Sequence, residues 1–301
     1  MPHHDPHHDD EHDLGFAHDL PRLIGRRRLL GVMGGLGLVA AASPASALEC
    51  VALPWETQGP YPADGSNSRE GQIVNILTQE GVIREDLRPS FGDLSGTADG
   101  PQLDLELLLV NADGCTPLAG HAIYVWHCTT LGEYSMYDLP DQNFLRGVGV
   151  TDDQGRVKFT TIYPGCYPAR WPHIHFEVFE SAEAAVAGDA SVLTAQIAMP
   201  HDISAALYES DALYEGSTQN LNNLTLETDN VFGDNSEEVI AQQTPEITGD
   251  AASGYKAALT IPVDFNADRT VSMGPGGPGG PPPEGMPPGG APPDGAPPPS
   301  N

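Results

Sequence analysis

The chain has 301 residues, 39% of them hydrophobic, enough for one or two domains with a core of ordinary size, so a wholly disordered chain is excluded. Thirteen Lys and Arg against 42 Asp and Glu leave a formal charge of −29, which repels phosphate backbones and anionic lipid surfaces and argues against nucleic acid as a partner. Thirty-four Gly and 29 Pro are too many for a helical bundle and suit strands joined by many turns.

Residues 1–47 do not read as part of a fold. Six of the 11 histidines (His3, His4, His7, His8, His12, His18) alternate with Asp and Glu in a stretch too polar to pack. Gly-Arg-Arg-Arg-Leu-Leu-Gly follows at 25–31, then an apolar Gly/Ala-rich run to Ala42 and the small-residue pattern Ala45-Ser46-Ala47 that a signal peptidase reads. The run falls short of the ~20 residues that span a bilayer. Paired arginines ahead of a weakly hydrophobic run resemble a twin-arginine signal, whose partner is the translocon that exports folded proteins. We expect a His-rich leader plus export signal cleaved near Ala47, and a periplasmic or extracellular protein. Glu49 directly before Cys50 does not fit a lipoprotein cleavage site, so no membrane anchor is expected.

Residues 48–268 read as one all-β unit, a β-sandwich. Strands are expected at Leu103 to Val110, His121 to Cys128, Val157 to Ile162, His173 to Phe179, Leu193 to Met199 and Ala257 to Val263. Turn signals separate them at Asp113-Gly114, Asp152-Asp153-Gln154-Gly155 and Pro164-Gly165. Only Ile203 to Tyr214 has helical spacing. Residues 269–301 are expected to be a disordered extension: 274–301 hold 12 Pro and 9 Gly with no apolar period. Four cysteines, Cys50, Cys115, Cys128 and Cys166, allow three pairings. Cys50 with Cys115 is the favoured one, joining the start of the N-terminal arm to a turn before a strand.

The chemistry centres on His173-Ile174-His175. Alternate residues of a strand share a face, so the two imidazoles project together while Ile174, Phe176 and Val178 face the core. Such a pair is half a metal site, and equally the pattern of a satisfied surface or core pair. A Pro/Gly-rich loop presents Tyr167 and Arg170 just upstream, and Gly132-Glu133-Tyr134-Ser135 puts another tyrosine at a strand end. Two phenolates with two imidazoles form a hard donor set that favours Fe(III). Read blandly, Tyr134 and Tyr167 are half-buried strand-end tyrosines with capped hydroxyls.

Several segments in order, Leu118-Ala119-Gly120, Trp126-His127-Cys128, Gly132 to Ser135, Phe144-Leu145-Arg146-Gly147, Thr151-Asp152, Gly155-Arg156-Val157, Thr161 to Tyr167, Arg170 and His173 to His175, resemble the intradiol ring-cleavage dioxygenases, the protocatechuate 3,4-dioxygenase and catechol 1,2-dioxygenase group. Glu56 to Tyr61 resembles that group's substrate-lining segment, and export with Cys50 and Cys115 is similar to its secreted branch. The resemblance covers about residues 50 to 265. It implies a β-sandwich core and one non-haem Fe(III) per chain held by Tyr134, Tyr167, His173 and His175, with Tyr167 as the ligand that leaves when substrate arrives. It also implies cleavage of an aromatic diol by O2 between the hydroxylated carbons. Arg170 is then the catalytic cation, against the rival reading of a salt bridge in so acidic a chain. Gly59, Pro60, Tyr61 and Trp126 are the expected pocket wall, Trp126 being equally readable as core, and Tyr124 and Tyr137 as packing residues. The helical dimerisation region of catechol 1,2-dioxygenases has no counterpart, which argues against that mode of dimerisation while a homo-oligomer of another kind stays open. Rival functions are a secreted non-catalytic module binding carbohydrate or aromatic polymer, and a metal-handling protein suggested by the His-rich leader.

Overall fold

The computed structural model describes residues 50–271; the expected His-rich leader, the expected export signal and most of the expected Pro/Gly extension lie outside the described residues. Ten strands form: β1 (Asp64–Arg69), β2 (Gln72–Asn75), β3 (Gln102–Asn111), β4 (Ala122–Trp126), β5 (Arg146–Val150), β6 (Arg156–Ile162), β7 (His173–Phe179), β8 (Leu193–Ala198), β9 (Glu246–Asp250) and β10 (Gly254–Val263). They make a β1-β2 hairpin and two four-stranded sheets, ordered β6-β3-β10-β9 and β5-β4-β7-β8. Only the β3-β10 pair is parallel among these ladders.

Alternation explains which side chains meet. In β3, Leu103, Leu105, Leu107 and Leu109 are buried while Asp104, Glu106 and Leu108 lie at intermediate exposure. They share one core with Ile123 and Val125 of β4, Ile174, Phe176 and Val178 of β7, and Ile197 of β8, so side chains of both sheets interdigitate. Strand β7 is buried at every position. Its other face, with Tyr124 and Trp126 of β4, is roofed by an N-terminal arm whose Ala63, Ile76 and Leu77 pack into a second cluster there.

Among the described residues the strand-rich unit also carries four short helices: α1 (Ala182–Ala187), α2 (His201–Ser210), α3 (Ser217–Asn222) and α4 (Glu237–Gln243). The expected helix at 203–214 starts at His201 and ends at Ser210, because the chain leaves helical geometry at Asp211 and resumes as a 3₁₀ turn at Ala212–Tyr214. The others are too short to show apolar periodicity; caps define them, Ser181 Oγ accepting from Ala184 N in α1 and Ser236 Oγ from Val239 N in α4.

The arm is pinned at both ends. Cys50 and Cys115 form a disulfide with Cα atoms 5.9 Å apart, while Cys128 and Cys166 are free and buried. Further along, Glu56 N donates to Thr194 O on the edge strand β8 at 2.8 Å. The Glu56 carboxyl is buried, and its Oε1 accepts from Gln243 Nε2 at 2.6 Å and Asn235 Nδ2 at 2.9 Å. Burial pushes it up to about 8 from 4.5, against the opposing pull of those hydrogen bonds.

Two predictions follow from this anchoring. The disulfide closes a loop with a sequence separation of 65. Chain entropy puts its loss at about 4 kcal/mol, so Cys115→Ser should lower the denaturation midpoint by a matching amount, and an unchanged midpoint under non-reducing conditions would exclude the staple. Between pH 4.5 and about 8 the folded chain holds a Glu56 proton that the unfolded chain has released, so stability falls as pH rises through that window. Glu56→Gln should therefore match the parent near pH 4 and exceed it by a few kcal/mol at pH 8, measured as paired thermal melts; equal melts at pH 8 would contradict the burial argument.

Candidate metal centre

Strand β7 turns His173 and His175 to the arm side, and each imidazole is held from behind. His173 Nδ1 donates to Trp171 O at 2.5 Å, which fixes its tautomer and leaves the Nε2 lone pair free. The His175 ring lies flat against Trp126, with centroids 4.9 Å apart and planes 4° from parallel. Tyr134 comes from the loop after β4 and Tyr167 from the loop before β7. These loops approach closely at Gly132, whose φ of +82° and distance from Tyr167, where a Cβ would come within 2.8 Å of the tyrosine Cβ, both require glycine.

Four donors converge on one point. Tyr134 Oη lies 3.4 Å from Tyr167 Oη, 3.5 Å from His173 Nε2 and 3.2 Å from His175 Nε2. His173 Nε2 is 3.2 Å from Tyr167 Oη and 3.0 Å from His175 Nε2. Ligands placed about 2 Å from a metal in tetrahedral directions are separated by about 3.3 Å, so the spacing suits a shared cation. Among the described residues no group of three or more His, Cys, Asp or Glu is placed to hold a metal; the phenols complete this set.

The electrostatics suit a cation as well. Burial drives Tyr134 well above 10 and Tyr167 up to about 12, and drives both imidazoles well below 6.5, so all four side chains favour neutrality when left to themselves. His175 Nδ1 is buried without a hydrogen-bond partner. A highly charged ion at the centre would reverse the phenol preference and use the neutral imidazole lone pairs. The donor set therefore fits Fe(III), a hard acceptor of phenolate oxygen and imidazole nitrogen.

Arg170 reaches the same region. Its Nε donates to Asp229 Oδ2 at 3.0 Å and its Nη2 to Gln196 Oε1 at 2.6 Å, so the salt-bridge reading holds alongside proximity to the phenols. Burial works against the guanidinium charge, but Asp229 and Tyr167 outweigh it, and the cation in turn lowers both phenols. Asp229 is itself locked, accepting from Trp171 N, Val231 N and Phe232 N.

Of the expected wall residues, Gly59 stands against the metal donors: at φ +73°, a Cβ there would lie 3.3 Å from His175 Cε1. Pro60 is exposed. The Tyr61 ring packs 4.8 Å from that of Tyr134. Trp126 takes the core alternative: it is wholly buried and stacks on His175, which sits directly opposite it in the β4-β7 ladder. Sequence reasoning missed Gln196 and Asp229. Gln196 pairs with His175 across β7-β8 and was signalled by a polar residue in the apolar strand Leu-Thr-Ala-Gln-Ile-Ala. Asp229 is 59 residues from Arg170, in a turn no local pattern marks. Of the larger clefts, one of about 630 Å³ lies over β3, β6 and β10 and another of about 510 Å³ beside the arm; the donors line neither.

Comparison with known proteins bears on the whole unit. Residues 91–206 match the dioxygenase family model (Dioxygenase_C). The protocatechuate 3,4-dioxygenase beta chain of Burkholderia cepacia is 32% identical over 156 residues, 45% of this chain and 61% of that protein, so the match spans less than two thirds of that relative. The catechol 1,2-dioxygenase of Candida albicans is 42% identical over 55 residues, 17% of this chain and 18% of that one. A solved intradiol ring-cleavage dioxygenase from Tetranychus urticae aligns over 73% of this chain and 98% of its own, with a TM-score of 0.54 and 23% identity, a likeness of fold. Residues 91–206 thus match a dioxygenase family model and are similar in sequence to intradiol dioxygenases, within a strand-rich unit that shares the fold of a solved intradiol ring-cleavage dioxygenase.

Proposed function

We propose that this chain is a non-haem Fe(III) dioxygenase that cleaves a catechol-type diol between its two hydroxylated carbons with O2, giving a cis,cis-muconate-type diacid. The observation that carries the reading is the convergence of two phenol oxygens and two imidazole nitrogens at separations of 3.0–3.5 Å. Tyr134, Tyr167, His173 and His175 would hold the ion, one per chain, and when bound it supplies Lewis acidity and draws electron density from the diol, opening the ring to O2.

The remaining work falls to the chain. Tyr134 is buried and Tyr167 half-buried, so Tyr167 Oη is the phenol oxygen a diol can reach. That accessible oxygen is the one placed to take a diol proton. Arg170, aimed by Asp229 and Gln196, stabilises negative charge that develops on the ring. The bare backbone of Gly59 leaves room beside His175, and Tyr61 offers an aromatic face to a flat substrate. A sandwich that merely held a polymer would gain nothing from burying two imidazoles and two phenols around one point. Export before function belongs to the same proposal, supported by the pattern at residues 25–47 and by a disulfide of the kind that persists in oxidising compartments.

Oxygen uptake with a panel of catechols, combined with product spectra, tests the reading: muconates are expected, and yellow semialdehydes would contradict cleavage between the hydroxyls. The iron-loaded protein should carry a visible tyrosinate-to-iron charge-transfer band, which Tyr134→Phe and His175→Ala should abolish together with turnover. Arg170→Ala should retain the band and lose about 10²–10³-fold in kcat. Full turnover in any of the three variants removes that residue from the scheme.

A further inference from the structure

We propose that Arg146 is a positioning residue that locks the arm bearing Tyr61 to the loop bearing Tyr134. Arg146 opens β5 and is fully buried, yet no carboxylate is among its hydrogen-bond partners. Its Nε donates to Ser135 Oγ and its Nη2 to Ser135 O, each at 3.0 Å. Its Nη1 faces Tyr61 O at 2.8 Å, Pro62 O at 3.1 Å and Tyr124 Oη at 3.2 Å. Burying a charge away from a hydrogen-bonded carboxylate is unfavourable, and tolerable only where other hydrogen bonds replace lost water.

Those acceptors belong to three segments distant in sequence. Tyr61 and Pro62 are in the arm, Tyr124 is on β4, and Ser135 adjoins the metal donor Tyr134. Tyr124 closes the knot by donating its own hydroxyl to Pro62 O at 2.7 Å. Tyr137 covers the guanidinium, with its ring 5.5 Å away, and its Oη accepts from Ala63 N at 2.9 Å and donates to Asn67 Oδ1 at 2.6 Å. The Tyr61 ring is thereby seated between Tyr134 and Tyr137, at 4.8 and 5.0 Å. One side chain thus fixes the backbone of residue 61 relative to that of residue 135. Only a forked cation can do so: a lysine carries its donors on one nitrogen and cannot reach Ser135 and Tyr61 from opposite sides.

The consequence for turnover rests on the proposed function, because it takes Tyr61 as a wall of the diol site; the lock itself does not. Arg146→Lys keeps the charge and removes the fork. Tyr124→Phe removes one hydroxyl shared by Pro62 and Arg146, and serves where the first variant does not fold. Hydrogen exchange on the full chain should show segment 57–69 exchanging about tenfold faster in either variant, with β7 protected as in the parent. KM for catechol should rise about fivefold or more, with kcat within about twofold. Unchanged protection of 57–69 in both variants, loss of protection spread evenly over the chain, or a loosened arm with unchanged KM would each overturn the assignment. A parent protein that leaves catechol intact defeats the proposed function instead, while the exchange pattern still decides the lock.

Discussion

Strand β7 presents apolar side chains to one face and imidazoles to the other, and both faces are buried. An outward face with two histidines would ordinarily stay in water, since burying a polar ring without a partner costs free energy. Here the arm roofs it, and the two loops that flank β7 in space bring Tyr134 and Tyr167 to the same point. The arm, the loops and the stacking of Trp126 beneath His175 all answer one demand, that four side chains preferring neutrality be held within reach of one another. A bound cation would make that crowding favourable.

The charge of the site runs opposite to that of the chain. The sequence carries −29, yet a fully buried Arg146 and a half-buried Arg170 stand near the donors, and the carboxyls of Glu56 and Glu177 are both pushed up to about 8 by burial. Asp229 aims Arg170 through a hydrogen bond from the guanidinium Nε. Net acidity therefore says little about which ligand charge the interior favours: surface carboxylates are screened by water and salt, whereas a buried guanidinium is not.

Strand positions were legible because an apolar period of two survives in β3, β6, β7, β8 and β10. The hairpin β1-β2 and strand β9 were not, since their side chains are polar or exposed and their pairing depends on neighbours. Short helices escaped for the complementary reason, that six or seven residues hold too few turns to show a period and are defined by a capping hydroxyl. Trp126 was ambiguous between pocket and core because its alternation places it on the same face as His175, and only the cross-strand register shows that it lies under the ring.

By itself the sequence determined that His173 and His175 share a face, that two tyrosines end strands near them, and that the segments follow the order of one family. Period-two geometry and ordered motifs are local properties, carried by the chain wherever it folds. Only the tertiary structure decided that the phenols meet the imidazoles, that Asp229 and Gln196 hold Arg170, and that Arg146 ties the arm to the loop. Those contacts join residues tens of positions apart, and their geometry exists only once the sheets have packed and the arm has closed over β7.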